Sequence, residues 1–165
     1  MSNPALDAGL NVLAFSRRTL LNIAEDIPAD KLCYQPFAGA NHALWILGHL
    51  ANADEYFVAE LTKKPMPKFE KTKGLFFMGS KPGPNAKDYP SLSELKNYLA
   101  SARESLVGYF KSLSPAQLVA PLPDDWKTFA PTYGELMFSI AWHEGMHTGQ
   151  LTTIRKALGL PPKMG

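Results

Sequence analysis

Long stretches in which apolar residues recur every three or four positions alternate along this chain with shorter ones dense in Pro, Gly and Lys. Leu6, Leu10, Leu13, Leu20 and Ile23 make the first stripe, which opens on Asn3-Pro4 and stops at Pro28. An asparagine cap followed by proline starts a helix, because the cap oxygen serves amides that lack an intrahelical partner and proline has no amide to serve. The second stripe runs from Asn41, as its cap, through Leu44, Trp45, Leu47, Leu50, Phe57 and Leu61 to Pro65. Behind Pro90, Ser91 and Glu94 form a capping box, followed by Leu92, Leu95, Leu99, Ala102, Leu106 and Phe110. Thr132 and Glu135 open the fourth stripe in the same way. Leu136, Ile140, His143, His147, Leu151, Ile154 and Leu158 follow, and Gly159 with Pro161-Pro162 closes it.

These periods predict four helices of about 22 to 27 residues, each about 33 to 40 Å long. The one short strand candidate is "LFFM". Four amphipathic helices without a sheet bury their stripes against one another, so the expected fold is an all-α four-helix bundle, one domain over residues 1–165. Residues 28–40 and 114–131 are moderate links, with a helical turn expected after Ser114-Pro115. Residues 65–90 form a long link, which can cross the bundle and gives an expected up-down-down-up order with the second and third helices parallel.

Composition narrows the function classes. Apolar residues make up 45% and charged residues 19%, an ordinary globular balance. A formal charge of +2, with no basic stripe interleaved with aromatics, argues against a nucleic-acid binder. No apolar run approaches the ~20 residues of a membrane span, and the first residues lack a secretory pattern. A single cysteine, Cys33, excludes an intrachain disulfide and reads as a bystander rather than a nucleophile. The expected location is the cytoplasm.

The chemistry concentrates in "AWHEGMHTGQ". His143-Glu144-Gly145-Met146-His147 matches H-E-x-x-H, the zinc motif of many metalloproteases. Such enzymes need a third ligand downstream, but "TGQLTTIRKALGLPPKMG" contains no Asp, Glu or His, and the extended motif's glycine and histidine would fall on Gln150 and Thr153. The protease reading fails. The two histidines nevertheless share one face of a core-facing stripe, where an unsatisfied buried imidazole costs about 1–3 kcal/mol. His49 lies on the inward stripe of the second helix, and facing helices at ~8–10 Å bring such rings within reach of one ion. Three protein ligands leave a coordination position open, as catalytic sites do. His42, near the start of the second helix, reads as a capping or surface residue.

At this point the chain resembles the DinB-like (YfiT-like) metalloprotein superfamily. "IPADKLCYQP", "ALWILGHLANADEYF" and "HEGMHTGQLTTIRKALGLPP" carry the resemblance in order. The superfamily's metal histidines match His49, His143 and His147, the last followed by Gly149-Gln150. Met146 stands where many relatives carry a further histidine. The resemblance implies an up-down-down-up bundle, a three-histidine site for zinc, nickel or iron, and frequent homodimers. Among the activities it implies, thiol-dependent transfer with a bacillithiol, mycothiol or glutathione type of cosubstrate leads. The alternatives are hydrolysis by metal-bound water, and a non-catalytic bundle that binds a metal or ligand.

Around that site several roles stay open. Glu144 is a candidate proton acceptor or orienter of a metal ligand, or else a surface salt-bridge partner. Asn52, three residues after His49, is a candidate lining of the pocket for the small-molecule substrate or cofactor, and Gln150, three after His147, is a candidate hydrogen-bond partner of a ligand or an imidazole, with plain bundle packing as the alternative for both. Trp45 reads as core. "GLFFMG" either caps the pocket, joins a dimer contact or packs against the bundle. Lys63, Lys64, Lys68, Lys71 and Lys73 either attract an anionic thiol or form a solvated loop.

Overall fold

In a computed structural model that describes residues 3–163, all four predicted long helices form. They are α1 (Pro4–Ala24), α2 (Ala43–Thr62), α4 (Leu92–Ser112) and α6 (Tyr133–Ala157), with α3 (Pro67–Phe76) and the four-residue α5 (Pro115–Leu118) between them. Asn3 caps α1 by accepting from the amides of Ala5 and Leu6. Ser91 and Glu94 satisfy each other's backbone amides at the start of α4, and the Thr132 hydroxyl accepts from the Glu135 amide at the start of α6. The expected turn after Ser114 is α5, with its own Ser114–Gln117 box.

Three expectations need correction. The cap of α2 is His42, not Asn41: His42 Nδ1 accepts from the Trp45 amide at 3.1 Å, its Nε2 lies 3.0 Å from the Gly83 carbonyl, and the ring is buried. Its capping role stands, whereas the surface position does not. "LFFM" is not a strand. Leu75 and Phe76 end α3, a helix that the long link was not expected to contain, and no strand occurs among the described residues. Glu144 is fully buried, which removes the surface reading of that carboxylate.

The packing pairs α1 with α6 and α2 with α4. Gly9 lies against Met137 near the first turns of α1 and α6, and Arg155 donates to the Ile23 carbonyl near their last turns. Two apolar clusters result. One gathers Leu20, Ile23, Leu44, Leu47, Leu95, Leu99, Leu151 and Ile154; the other gathers Leu13, Phe57, Leu106, Phe110, Leu136, Met137 and Ile140. Burying each such Leu or Phe contributes about 1.5–3 kcal/mol, which is what draws the stripes together. Between the clusters runs a polar layer that holds every candidate ligand. No helix of the described residues is long and apolar enough to cross a membrane.

Candidate metal centre

His49 from α2 meets His143 and His147 from α6 inside that layer. The Nε2 atom of His143 stands 3.3 Å from that of His49 and 3.1 Å from that of His147. Nitrogens each about 2.1 Å from a shared ion sit about 3.0 Å apart at right angles and about 3.4 Å apart at tetrahedral angles. The observed separations fall in that interval.

Hydrogen bonds on the far side of two rings fix which nitrogen is free. His49 Nδ1 lies 2.8 Å from the Phe76 carbonyl, an acceptor only, so Nδ1 carries the proton and donates it there. His147 Nδ1 lies 3.0 Å from Gln150 Oε1, which also accepts from Asn41 Nδ2 at 3.1 Å. Both rings therefore present an Nε2 lone pair towards His143. A neutral His143 has at most one ring hydrogen to offer there, too few for both. A cation satisfies all three, so the donor set fits a divalent metal.

Burial acts in the same direction. It pushes His147 down to about 3 and His143 down to about 4, with the neighbouring imidazoles adding to the effect and Asp54 opposing it at His143. His49 is lowered as well, again by burial, against its bond to the Phe76 carbonyl. At neutral pH all three rings are uncharged and ready to donate electrons.

Neighbouring side chains hold the rings in place. Trp45 stacks on His49 with centroids 4.6 Å apart and planes 8° from parallel, while its indole donates to Ser80 Oγ. Trp45 is core, as expected, and it also sets the tilt of a candidate ligand. The Phe76 ring lies against Gly48, where a Cβ would stand 2.2 Å from Phe76 Cε1. Only glycine admits that approach, and the approach brings the Phe76 carbonyl to His49.

The other candidates divide. Gln150 is brought to the centre, through His147. Asn52 turns towards α3: its Nδ2 donates to Thr72 Oγ1 at 3.0 Å, and its Oδ1 finds no hydrogen-bond partner among the described residues. Glu144 accepts from Ser16 Oγ, Arg17 Nε and Arg103 Nη2. Those guanidinium groups also hold Asp54, Arg103 through Nε at 2.8 Å and Nη2 at 3.2 Å, and Arg17 through Nη2 at 3.0 Å. Each long helix thus supplies one member of a buried ring of four charges. The glutamate of H-E-x-x-H belongs to that ring.

A cavity of 440 Å³ opens beside the histidines. His49 and His143 line it together with Ala53, Tyr56, Phe57, Glu60, Phe77, Met78, Asp125, Trp126 and Phe129. Phe77 and Met78 come from "GLFFMG", which here borders the pocket. Its aromatic walls escaped the sequence reading, although Tyr56 and Phe57 follow His49 by two turns on the same face of α2. A larger groove of 920 Å³, along the outer faces of α1 and α6, contains no histidine. Of the lysines, Lys63 and Lys73 pair with Glu60 and Glu70, and Lys68 donates to Ser101. Cys33 is half-buried and burial raises its thiol, as suits a bystander.

Fold and site together define an all-helical bundle protein with a three-histidine candidate metal centre. The chain belongs to the DinB superfamily, whose sequence pattern matches residues 13–151. Among solved structures it is similar to a conserved protein from Enterococcus faecalis, with a TM-score of 0.73 at 16% identity over 93% of this chain and 96% of that one. At such identity the likeness concerns the fold. No curated protein matches the chain.

Proposed function

We propose that this protein is a metal-dependent enzyme that transfers a low-molecular-weight thiol to a small electrophile. The supporting observation is that His49 and His143 form one end of a cavity whose other walls are mainly aromatic, so an open coordination position would face a site for an apolar molecule. Bound zinc, nickel or iron would supply Lewis acidity, holding a thiol as thiolate at neutral pH. The chain's own residues do the rest. Phe76 and Gln150 keep the Nδ1 protons of His49 and His147 in place, and Trp45 holds the plane of the His49 ring. Tyr56, Phe57, Phe77, Trp126 and Phe129 exclude water and carry the apolar part of the electrophile.

Transfer is favoured over hydrolysis because hydrolysis by metal-bound water gains from a positioned base, and the carboxylate of Glu144 is committed to Ser16, Arg17 and Arg103. A thiolate needs no such base. In this reading Glu144 sets the register of α6, and Asn52 anchors α3 rather than binding cofactor.

Turnover of monochlorobimane by metal-loaded protein, with bacillithiol, mycothiol or glutathione, tests the proposal. Thiol-dependent product is expected. Ester or amide cleavage without thiol dependence would point to the hydrolase, and tight ligand binding without turnover to a binding module.

A further inference from the structure

The cavity beside the histidines carries charge that metal binding does not use. It follows one face of α2, for Ala53, Tyr56, Phe57 and Glu60 stand four, seven, eight and eleven residues after His49. At about 1.5 Å per residue, Glu60 lies about 16 Å along the helix axis from His49. The middle is aromatic. The Tyr56 ring lies 4.8 Å from Phe77 and 5.8 Å, nearly parallel, from Trp126, while Phe57 lies 5.5 Å from both Trp126 and Phe129. Asp125 precedes Trp126 in a 3-10 turn (Asp124–Trp126) and brings a second carboxylate to the cavity wall.

Among the described residues, no Lys or Arg lines this cavity. Glu60 meets Lys63 only in a surface pair whose lysine is 79% exposed, and Asp125 has no ion-pair partner among the described residues. Aromatic faces carry the negative part of the ring quadrupole, so walls and carboxylates favour the same sign of charge in a guest. The histidine end has the opposite character, since three neutral imidazoles around a divalent ion leave it positive.

We infer that the cavity selects a substrate bearing a cationic nitrogen. Its alkyl- or arylammonium group sits towards Glu60 and Asp125, its apolar body lies against Tyr56, Phe77 and Trp126, and its reacting atom reaches His49 and His143. This rests on the cavity being the substrate site of the proposed enzyme. The same charges turn away molecules that carry a carboxylate at the ammonium position.

Calorimetric titration of zinc-loaded and metal-free protein with three probes of equal chain length tests the inference. The probes are phenylbutyl-trimethylammonium, phenylpentanol and phenylpentanoate. On metal-free protein, where no cation draws in a carboxylate, the ammonium should bind roughly tenfold tighter than the alcohol, and the carboxylate weaker than either. Glu60→Gln and Asp125→Asn should each reduce that advantage, and the double variant should remove it. No measurable ammonium binding, carboxylate binding to the metal-free protein as tight as the ammonium, or an advantage that survives the double variant would each overturn the inference. Turnover on the same samples separates it from the transferase reading. Ammonium selectivity without thiol-dependent turnover leaves this inference standing and defeats that reading, whereas turnover without ammonium selectivity does the reverse.

Discussion

Each candidate ligand with a fixed tautomer owes it to one acceptor, and the two acceptors differ in kind. Gln150 acts on His147 with a side chain, so it can be deleted. Gln150→Ala should lower metal affinity roughly 10- to 100-fold with little change in thermal stability, as measured by competition with a chelating dye. His49→Ala should abolish stoichiometric loading in elemental analysis of untagged protein, and full loading in that variant would contradict the ligand set. Phe76 acts on His49 with its main chain, so the accessible lever is Gly48. A methyl group at that position forces the Phe76 ring aside, which should cost about 1–3 kcal/mol and weaken metal binding. Gly108→Ala, on the same scale of change, meets nothing within 4 Å and should leave metal binding as it is. The three histidines and Gln150 were legible because side-chain identity and helical spacing carry them. The Phe76 carbonyl was not, since any residue supplies a carbonyl and only tertiary packing aims this one.

At the scale of helices, the capping signals located α1, α4 and α6, and the stripe located α2 with its cap placed one residue early. α3 escaped because it lacks a side-chain cap and buries only Phe69 and Phe76, two turns apart, too few anchors to show a period. The charged ring had a signal that went unused. Arg17, Asp54, Arg103 and Glu144 each stand four residues after a buried Leu or Ile (Leu13, Leu50, Leu99 and Ile140), so each continues an apolar stripe. A charge in such a place implies a buried counter-charge. Glu144→Gln leaves two buried guanidinium groups short of a partner and should cost about 3–5 kcal/mol in urea unfolding. Unchanged stability with lost turnover would instead make Glu144 a proton acceptor.

Over the whole molecule, the polar layer couples stability to pH. His143, His147, His49 and His42 all have folded values below the ordinary 6.5, with burial as the main cause. The fold holds them neutral while an unfolded chain takes up protons below about pH 6.5, so their contribution is complete above that value and shrinks as pH falls towards about 4. Chelator-treated protein should therefore melt at progressively lower temperature from pH 6.5 to pH 4.5, with a shallower slope in His143→Ala. A melting temperature that rises on acidification would contradict neutral burial. The outer face of α1 and α6 exposes Phe15, Phe138, Trp142 and Met146, and we propose that a second copy of the chain covers it. Trp142→Lys should then give a monomer in light scattering. The ring of four charges, finally, constrains descent. Its members are scattered across the gene yet balance one another in space, so a lineage that loses Asp54 inherits two buried guanidinium groups that share the single carboxylate of Glu144. Accepted changes at these positions should arrive together, as matched exchanges between opposite signs or as joint replacement by apolar residues.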